Sequence, residues 1–159
     1  MPYQSITLAT LQTRLAERHE SAAFWVAEEA RLAINEVLRV WQLLTGYWKV
    51  QVSVNTPAAS PWVTIPGTLF LPIRVQWGTT GKSLLQGSIP SFDNGRSTWE
   101  GETTTTSGLP STPTDWAPAG ARLIAIWPAD NAGGNPLLVD GLATTPVLVV
   151  GGDFIDVSE

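Results

Sequence analysis

The chain changes rhythm at Gly46. From Leu8 to Leu44, apolar, acidic and basic residues interleave at helical spacing. After Trp48 the sequence breaks into short apolar runs divided by Pro, Gly, Ser and Thr. One repeating element cannot carry both a helical and a strand period. The pattern predicts an α+β fold, with an N-terminal αα-hairpin packed with a small antiparallel β-sandwich or partly open barrel. A length of 159 residues suits a single domain with a real core, helical over 1–48 and β-rich over 49–159.

Thr7 is placed to cap a first helix over Leu8 to Arg18, on which Leu8, Leu11 and Leu15 form one apolar stripe. His19, Glu20 and Ser21 make the break. A second helix is expected from Ala23 or Val26 to Leu44, with Gly46 as its stop. Its apolar face is expected to hold Ala30, Ile34, Val37, Leu38, Trp41 and Leu44. Glu28, Glu29, Arg31, Glu36 and Arg39 largely lie away from that face, and the spacings Glu28/Arg31 and Glu36/Arg39 suit weak ion pairs. Asn35 is a poor helix former in mid-helix. It is expected to be exposed or bonded to a facing element, with contact to a neighbouring subunit as the sharper alternative. Phe24 and Trp25 are either a staple on the first turn or an aromatic patch.

Beyond Gly46, Val50, Val52 and Val54 alternate with Gln51 and Ser53, the mark of a half-buried strand. Further strands are expected at Trp62 to Ile65, Ile73 to Trp77, Ser83 to Leu85, Arg122 to Trp127, Leu137 to Val139 and Val147 to Val150. Glu100 to Pro118, with four consecutive threonines and three prolines counting Pro118, reads as a long loop. It is either passive or an arm that orders against a neighbour, and Trp116 near its end is a candidate contact.

Charged residues make up 14 % of the chain, well below the roughly 25 % usual in soluble domains, while eight tryptophans are many for its length. That combination points to outer surface covered by other subunits, the alternative being that the tryptophans fill one core. The net charge of -5 and the scattering of seven arginines and two lysines argue against a direct nucleic-acid-binding surface. Without cysteine there is no disulfide, thiolate metal site or cysteine nucleophile. No run approaches the roughly 20 apolar residues of a membrane span, and MPYQSITLAT lacks the basic and apolar regions of a secretion signal. A soluble protein with no membrane partner is expected.

No catalytic constellation emerges. His19 stands alone in an interhelix turn. Asp93, Asn94, Gly95 and Arg96 form a turn signal in which Gly95 can take positive φ. Arg96 and Trp99 beside it are candidate partner contacts. Asp130, Asn131 and Asp140 lack calcium-loop spacing, Asp153 and Asp156 lack further ligands, and Gly133-Gly134 reads as a turn. The expectation is a non-enzyme with no catalytic residue, metal or cofactor.

Several segments together resemble the small head–tail connector, or adaptor, proteins of tailed bacteriophages: Ala27-Glu28-Glu29-Ala30, Ile34-Asn35-Glu36 and Leu43-Leu44-Thr45-Gly46-Tyr47-Trp48, then Trp62-Val63-Thr64-Ile65-Pro66, Asp93-Asn94-Gly95-Arg96 and Trp116-Ala117-Pro118. The signatures are diffuse and spread over most of the chain. The resemblance implies a structural adaptor in the virion neck, assembled in the host cytoplasm. About twelve copies would form a ring that docks onto the portal protein and contacts a tail or nozzle protein. Packaged DNA would pass through that ring without sequence-specific binding. It implies a docking face over Ala27 to Trp48, with Arg31, Arg39, Trp41 and Trp48 as interface residues, the alternative for Trp41 being a place in the core. Such proteins commonly end in further helix; this sequence stops at Glu159, where Ser158 could cap such a helix, and the expectation is either an incomplete sequence or a naturally short member. Competing readings are a tail-completion or baseplate subunit, a β-sandwich carbohydrate-binding module stacking sugars on Trp62, Trp99 or Trp116, and a hydrolase assembled only in the fold.

Overall fold

A computed structural model describes residues 4–18 and 26–157. His19, Phe24, Trp25 and Ser158 lie outside them, as do the expectations placed on those residues. The elements run β1 (Gln4–Thr7), α1 (Leu8–Arg18), α2 (Ala27–Thr45), β2 (Lys49–Asn55), β3 (Trp62–Thr64), β4 (Leu69–Trp77), β5 (Lys82–Ser83), β6 (Leu85–Gln86) and α3 (Ile89–Gly95). A 3-10 turn at Trp99–Gly101 follows, then β7 (Asp115–Gly120), β8 (Leu123–Trp127), β9 (Pro136–Ala143) and β10 (Phe154–Val157). The chain is α+β and divides into two compact units. One comprises Met1–Gly46 with Thr145–Glu159, the other Tyr47–Thr144. The last fifteen residues, grouped by sequence with the β-rich part, thus belong with the helices.

In the helical unit, α1 begins where Thr7 predicts it. Thr7 Oγ1 accepts from the Thr10 N–H at 3.2 Å, satisfying one of the free donors of the first turn. Two more are satisfied by the C-terminal segment, with Leu8 N–H bonding Asp153 O at 2.7 Å and Ala9 N–H bonding Gly151 O at 3.1 Å. β1 and β10, neither foreseen, pair antiparallel with Ile6 opposite Ile155. Helix α2 stops as expected at Gly46, in the left-handed conformation (φ 59°), whose N–H bonds Gln42 O at 2.8 Å. Glu28 and Glu29 sit in its first turn, where the helix dipole favours negative charge.

The β unit is an open sandwich of two four-stranded sheets, ordered β2-β9-β4-β5 and β3-β8-β7-β6. All pairings are antiparallel except β6 with β7, so the second sheet is mixed rather than purely antiparallel. Leu69, Val75, Trp77, Leu137 and Val139 from one sheet pack with Val63, Trp116, Ile124 and Ile126 from the other. A second cluster lies on the far face of β8 and joins Ala125 and Trp127 to Phe92 of α3, Trp99 and half-buried Trp62. Covered on both faces, β8 reads as an unbroken apolar run, whereas β2, covered on one, alternates.

Several expectations shift. The turn at Asp93 to Gly95 is the end of helix α3, capped by Ser88 and carrying a proline in its first turn, and Gly95 has no positive φ. Val147 to Val150 is not a strand. Glu100 to Pro118 is ordered against its own unit: Thr104 N–H bonds Ala129 O at 2.8 Å, Ala129 N–H bonds Glu102 O at 2.9 Å, and the segment ends inside β7. Gly133 and Gly134 do form a turn, with φ of 70° and 77°.

Gly141 is closely enclosed within the first sheet. A Cβ there would lie 2.2 Å from Leu71 O and 3.0 Å from Leu71 C, where β4 departs from regular register. Because the obstacle is backbone, Gly141→Ala is expected to destabilise the protein by about 1–3 kcal/mol in denaturant unfolding. Gly95→Ala, whose Cβ meets nothing within 4 Å, is expected to stay within about 0.5 kcal/mol.

Candidate docking surface

Helix α2 turns an unusual set of residues inward. Ala30, Asn35 and Gln42 are its buried positions, and Arg31, Ile34, Leu38 and Trp41 are half-buried beside them. Leu32, Val37, Val40, Leu43 and Leu44 are exposed, Val37 by 66 % and Leu44 by 81 %. Val37, Val40 and Leu44 follow one another at spacings of three and four, so they share one stripe. Leu32 and Leu43, eleven apart, align along a neighbouring line, and exposed Glu36 and Arg39 pair at 3.4 Å on the same outward side. The expected apolar face is therefore rotated. Ala30 is inside it, Ile34, Leu38 and Trp41 are at its border, and Val37 and Leu44 are outside.

The rotation follows from one hydrogen-bonded match. The Asn35 side chain donates through Nδ2 to Leu148 O at 2.9 Å and accepts at Oδ1 from Leu148 N–H at 2.9 Å. This is the bond to a facing element expected of a mid-helix asparagine. Arg31 Nη1 also donates to Leu148 O, at 3.2 Å, while its Nε bonds Glu28 Oε2 at 2.9 Å. The hydrogen bond from Arg31 holds the Glu28 carboxyl below its ordinary pKa. Leu148 is 1 % exposed, yet Val147, Val149 and Val150 around it are exposed. Asp153 closes this loop by accepting from the N–H groups of Val149 (2.5 Å) and Val150 (2.9 Å), which lower its pKa. Among the described residues, nine of the twelve large exposed apolar side chains lie in the helical unit. Such a concentration makes this a candidate interaction surface rather than scattered exposure.

The candidate interface residues have different fates. Arg31 serves the Leu148 clamp. Arg39 is exposed beside Glu36, Trp41 is half-buried on α2, and Trp48 is half-buried, edge-on to Tyr47 at 5.6 Å. Arg96 lies over the Trp127 ring at 3.5 Å and 3.8 Å from Asp115. Trp99 and Trp116 are 2 % and 1 % exposed, inside the β unit, and offer no side-chain surface to a partner. Trp99 Nε1 donates to Asp93 Oδ1 at 2.8 Å, and Trp62 meets Trp99 edge-on at 5.4 Å. The three tryptophans proposed for sugar stacking are thus mostly committed to internal packing.

Among the described residues the acidic side chains do not converge on a site. Asp140 faces outward from β9, bonded to Gln51 (2.7 Å) and Arg74 (2.6 Å) in a shallow depression of about 420 Å³. Asp130 is 3 % exposed in a separate loop, where Thr56 Oγ1 (2.5 Å) and Asn135 Nδ2 (2.8 Å) donate to its carboxylate. The Asp156 side chain lies outside the described part. Among the described residues no group of three or more His, Asp or Glu side chains is gathered as for a metal ion, and no helix is long and apolar enough to cross a membrane. No family model and no curated protein matches the chain.

Burial disfavours the charged form of Asp130 most strongly of any single influence. The donors Thr56, Asn135 and the N–H groups of Gly133 and Ala132 together outweigh it, so the pKa is lowered. A lowered pKa means the folded state binds the proton less tightly than the unfolded chain. The stabilisation is present above the ordinary aspartate value and lost as pH falls below about 3.9 through the folded value. Asp130→Asn is expected to cost about 1–3 kcal/mol at neutral pH, because its NH₂ must face a donor. It should also flatten the acid limb of stability measured between about pH 5 and about pH 3. Asn35→Ala leaves the buried Leu148 N–H without its acceptor. Faster amide exchange is expected at Leu148, read by hydrogen exchange, with a loss of about 1–3 kcal/mol.

Proposed function

We propose that this protein is a structural adaptor of a tailed-phage virion, present as a ring of about twelve copies in the neck and docked through the outer side of α2. The observation that carries the docking is the exposed apolar surface of α2, with Leu32, Val37, Val40, Leu43 and Leu44 directed away from their own unit. The assignment to the neck rests on the resemblance of Ala27 to Trp48 and of the later segments to head–tail connectors. The ring joins portal to tail or nozzle protein, lets DNA pass without reading its sequence, and acts without catalysis or cofactor. Arg39, Trp41 and Trp48, exposed or half-buried, are the interface candidates that fit this role.

Cryo-electron microscopy of particles, reconstructed without imposed symmetry at the neck, tests the assignment. A ring between portal and tail supports it, and density only at the tail tip would overturn it in favour of a baseplate or tail-completion subunit. The docking surface has its own test in the double substitution Val37→Asp with Leu44→Asp. Both side chains are exposed, so folding stability should change by no more than about 0.5 kcal/mol per site. Incorporation into particles should fall about tenfold or more, a loss of at least about 1.4 kcal/mol of docking free energy. Normal incorporation of a folded variant would remove α2 from the interface.

A further inference from the structure

The β unit leaves one long sheet edge open. Of its four edge strands, β5 and β6 have two residues each and β3 has three. Natural proteins shorten edges in this way to avoid unwanted pairing. β2 has seven residues, pairs with β9 without a register shift, contains no proline, and carries only Lys49 as a charge. Its inward valines, Val50, Val52 and Val54, pack on the core yet are only half-buried.

The hydrogen bonding shows what the free edge presents. Thr56 N–H bonds Asn135 O at 2.9 Å, and Ala143 N–H bonds Trp48 O at 2.9 Å. With the β2–β9 register these fix the even-numbered residues as those bonded to β9. Pro136, which has no N–H, falls opposite Asn55 at a position that needs none. The N–H and C=O groups of Lys49, Gln51, Ser53 and Asn55 therefore point away from β9, along the open edge.

We propose that two copies of the free protein pair antiparallel through their β2 edges, about a two-fold axis at Val52. Centred there, the outward groups meet in bonding pairs: Lys49 with Asn55 of the second copy and Gln51 with Ser53 of the second copy, each twice. Val52 meets Val52 of the second copy, and Val50 meets Val54, at the close non-hydrogen-bonded positions where side chains touch most. All six valines stay on the inner face and cover one another. No like charges oppose, since Lys49 faces an asparagine. Offsetting the register by a single residue, with the axis midway between Val52 and a neighbour, would set outward groups opposite inward ones and lose these bonds; among the registers that stay in phase, the one centred at Val52 pairs the whole of β2. The strand is thus self-complementary in hydrogen bonding, shape and charge, as an isologous contact requires. The proposal concerns the protein before assembly and does not rest on the adaptor reading.

The test uses the full chain in the Val37→Asp, Leu44→Asp background, which keeps the α2 surface from contributing. Sedimentation is expected to show a concentration-dependent dimer, and Ser53→Pro, which removes an outward N–H but no bond to β9, should convert it to monomer with folding retained. The chain has no cysteine, so single thiols report the register. Under mild oxidation Val52→Cys should form a disulfide-linked dimer about tenfold faster than Gln51→Cys or Ser53→Cys, because only position 52 faces itself at disulfide distance. A protein that stays monomeric at high micromolar concentration overturns the proposal. So do a dimer unaffected by Ser53→Pro and equal cross-linking at all three positions.

Discussion

The Asn35 carboxamide decides which way α2 faces. Its donor and acceptor match the carbonyl and N–H of Leu148, 113 residues away in sequence. An apolar residue at this position would tolerate rotation of the helix, because dispersion contacts have little direction. An amide bonded at both ends in a buried setting does not, since turning it leaves two polar groups unsatisfied. With Asn35 and Gln42 inside, the stripe Val37, Val40 and Leu44 must lie outside. The same C-terminal segment satisfies the Leu8 and Ala9 donors at the start of α1. The two ends of the sequence are therefore one structural unit.

In the β unit the governing asymmetry is between a sheet covered on both faces and a sheet covered on one. The second cover of β3-β8-β7-β6 explains much of the tryptophan content. Trp99 and Trp127 fill the cluster beyond β8, and each finds a carboxylate for its indole N–H: Asp93 at 2.8 Å and Glu102 at 2.6 Å. Buried tryptophan with a satisfied N–H is a stable core element. Arg96 packs its guanidinium over Trp127, an intramolecular use of a residue whose type and position suggested a partner contact. The threonine-rich stretch before β7 is tied to the same region, because Glu102 and Thr104 bond to Ala129 just after β8.

Local chemistry made some of this legible in the sequence. The Thr7 cap, the bounds Leu8–Arg18, the stop at Gly46 and the alternation of β2 each follow from neighbouring residues. The α+β class follows from the change of period at Gly46. The rest depends on contacts distant in sequence. Val147 to Val150 has strand composition, but its backbone is taken by Asn35 and Asp153. Helix α3 carried its signal in Ser88 and Pro90, yet Asp-Asn-Gly suggested a turn. The facing of α2 was illegible because both its sides are apolar, so periodicity did not choose between them. The polar Asn35 was the clue, and it acts only once Leu148 is beside it. Arg31, Trp99 and Trp116 were singled out by residue type, but the fold uses them internally.

The two units differ in how much apolar surface they hide. Among the described residues, four buried hydrophobic side chains belong to the helical unit (Leu8, Ala30, Leu148 and Ile155), against seventeen in the β unit. Small units with so little buried apolar area are marginal on their own. The helical unit compensates through directed bonds, with Asn35, Thr7 and Asp153 each satisfying backbone groups. Such bonds specify geometry more than they stabilise, since each replaces a bond to water. A partner that covers Val37, Val40 and Leu44 adds the missing hydrophobic contribution and stabilises the unit by linkage. The surface that an adaptor would use for docking is thus the surface its own fold leaves unfinished. On the adaptor reading, docking and consolidation of the helical unit would be a single thermodynamic event, with the β unit folded around its own core.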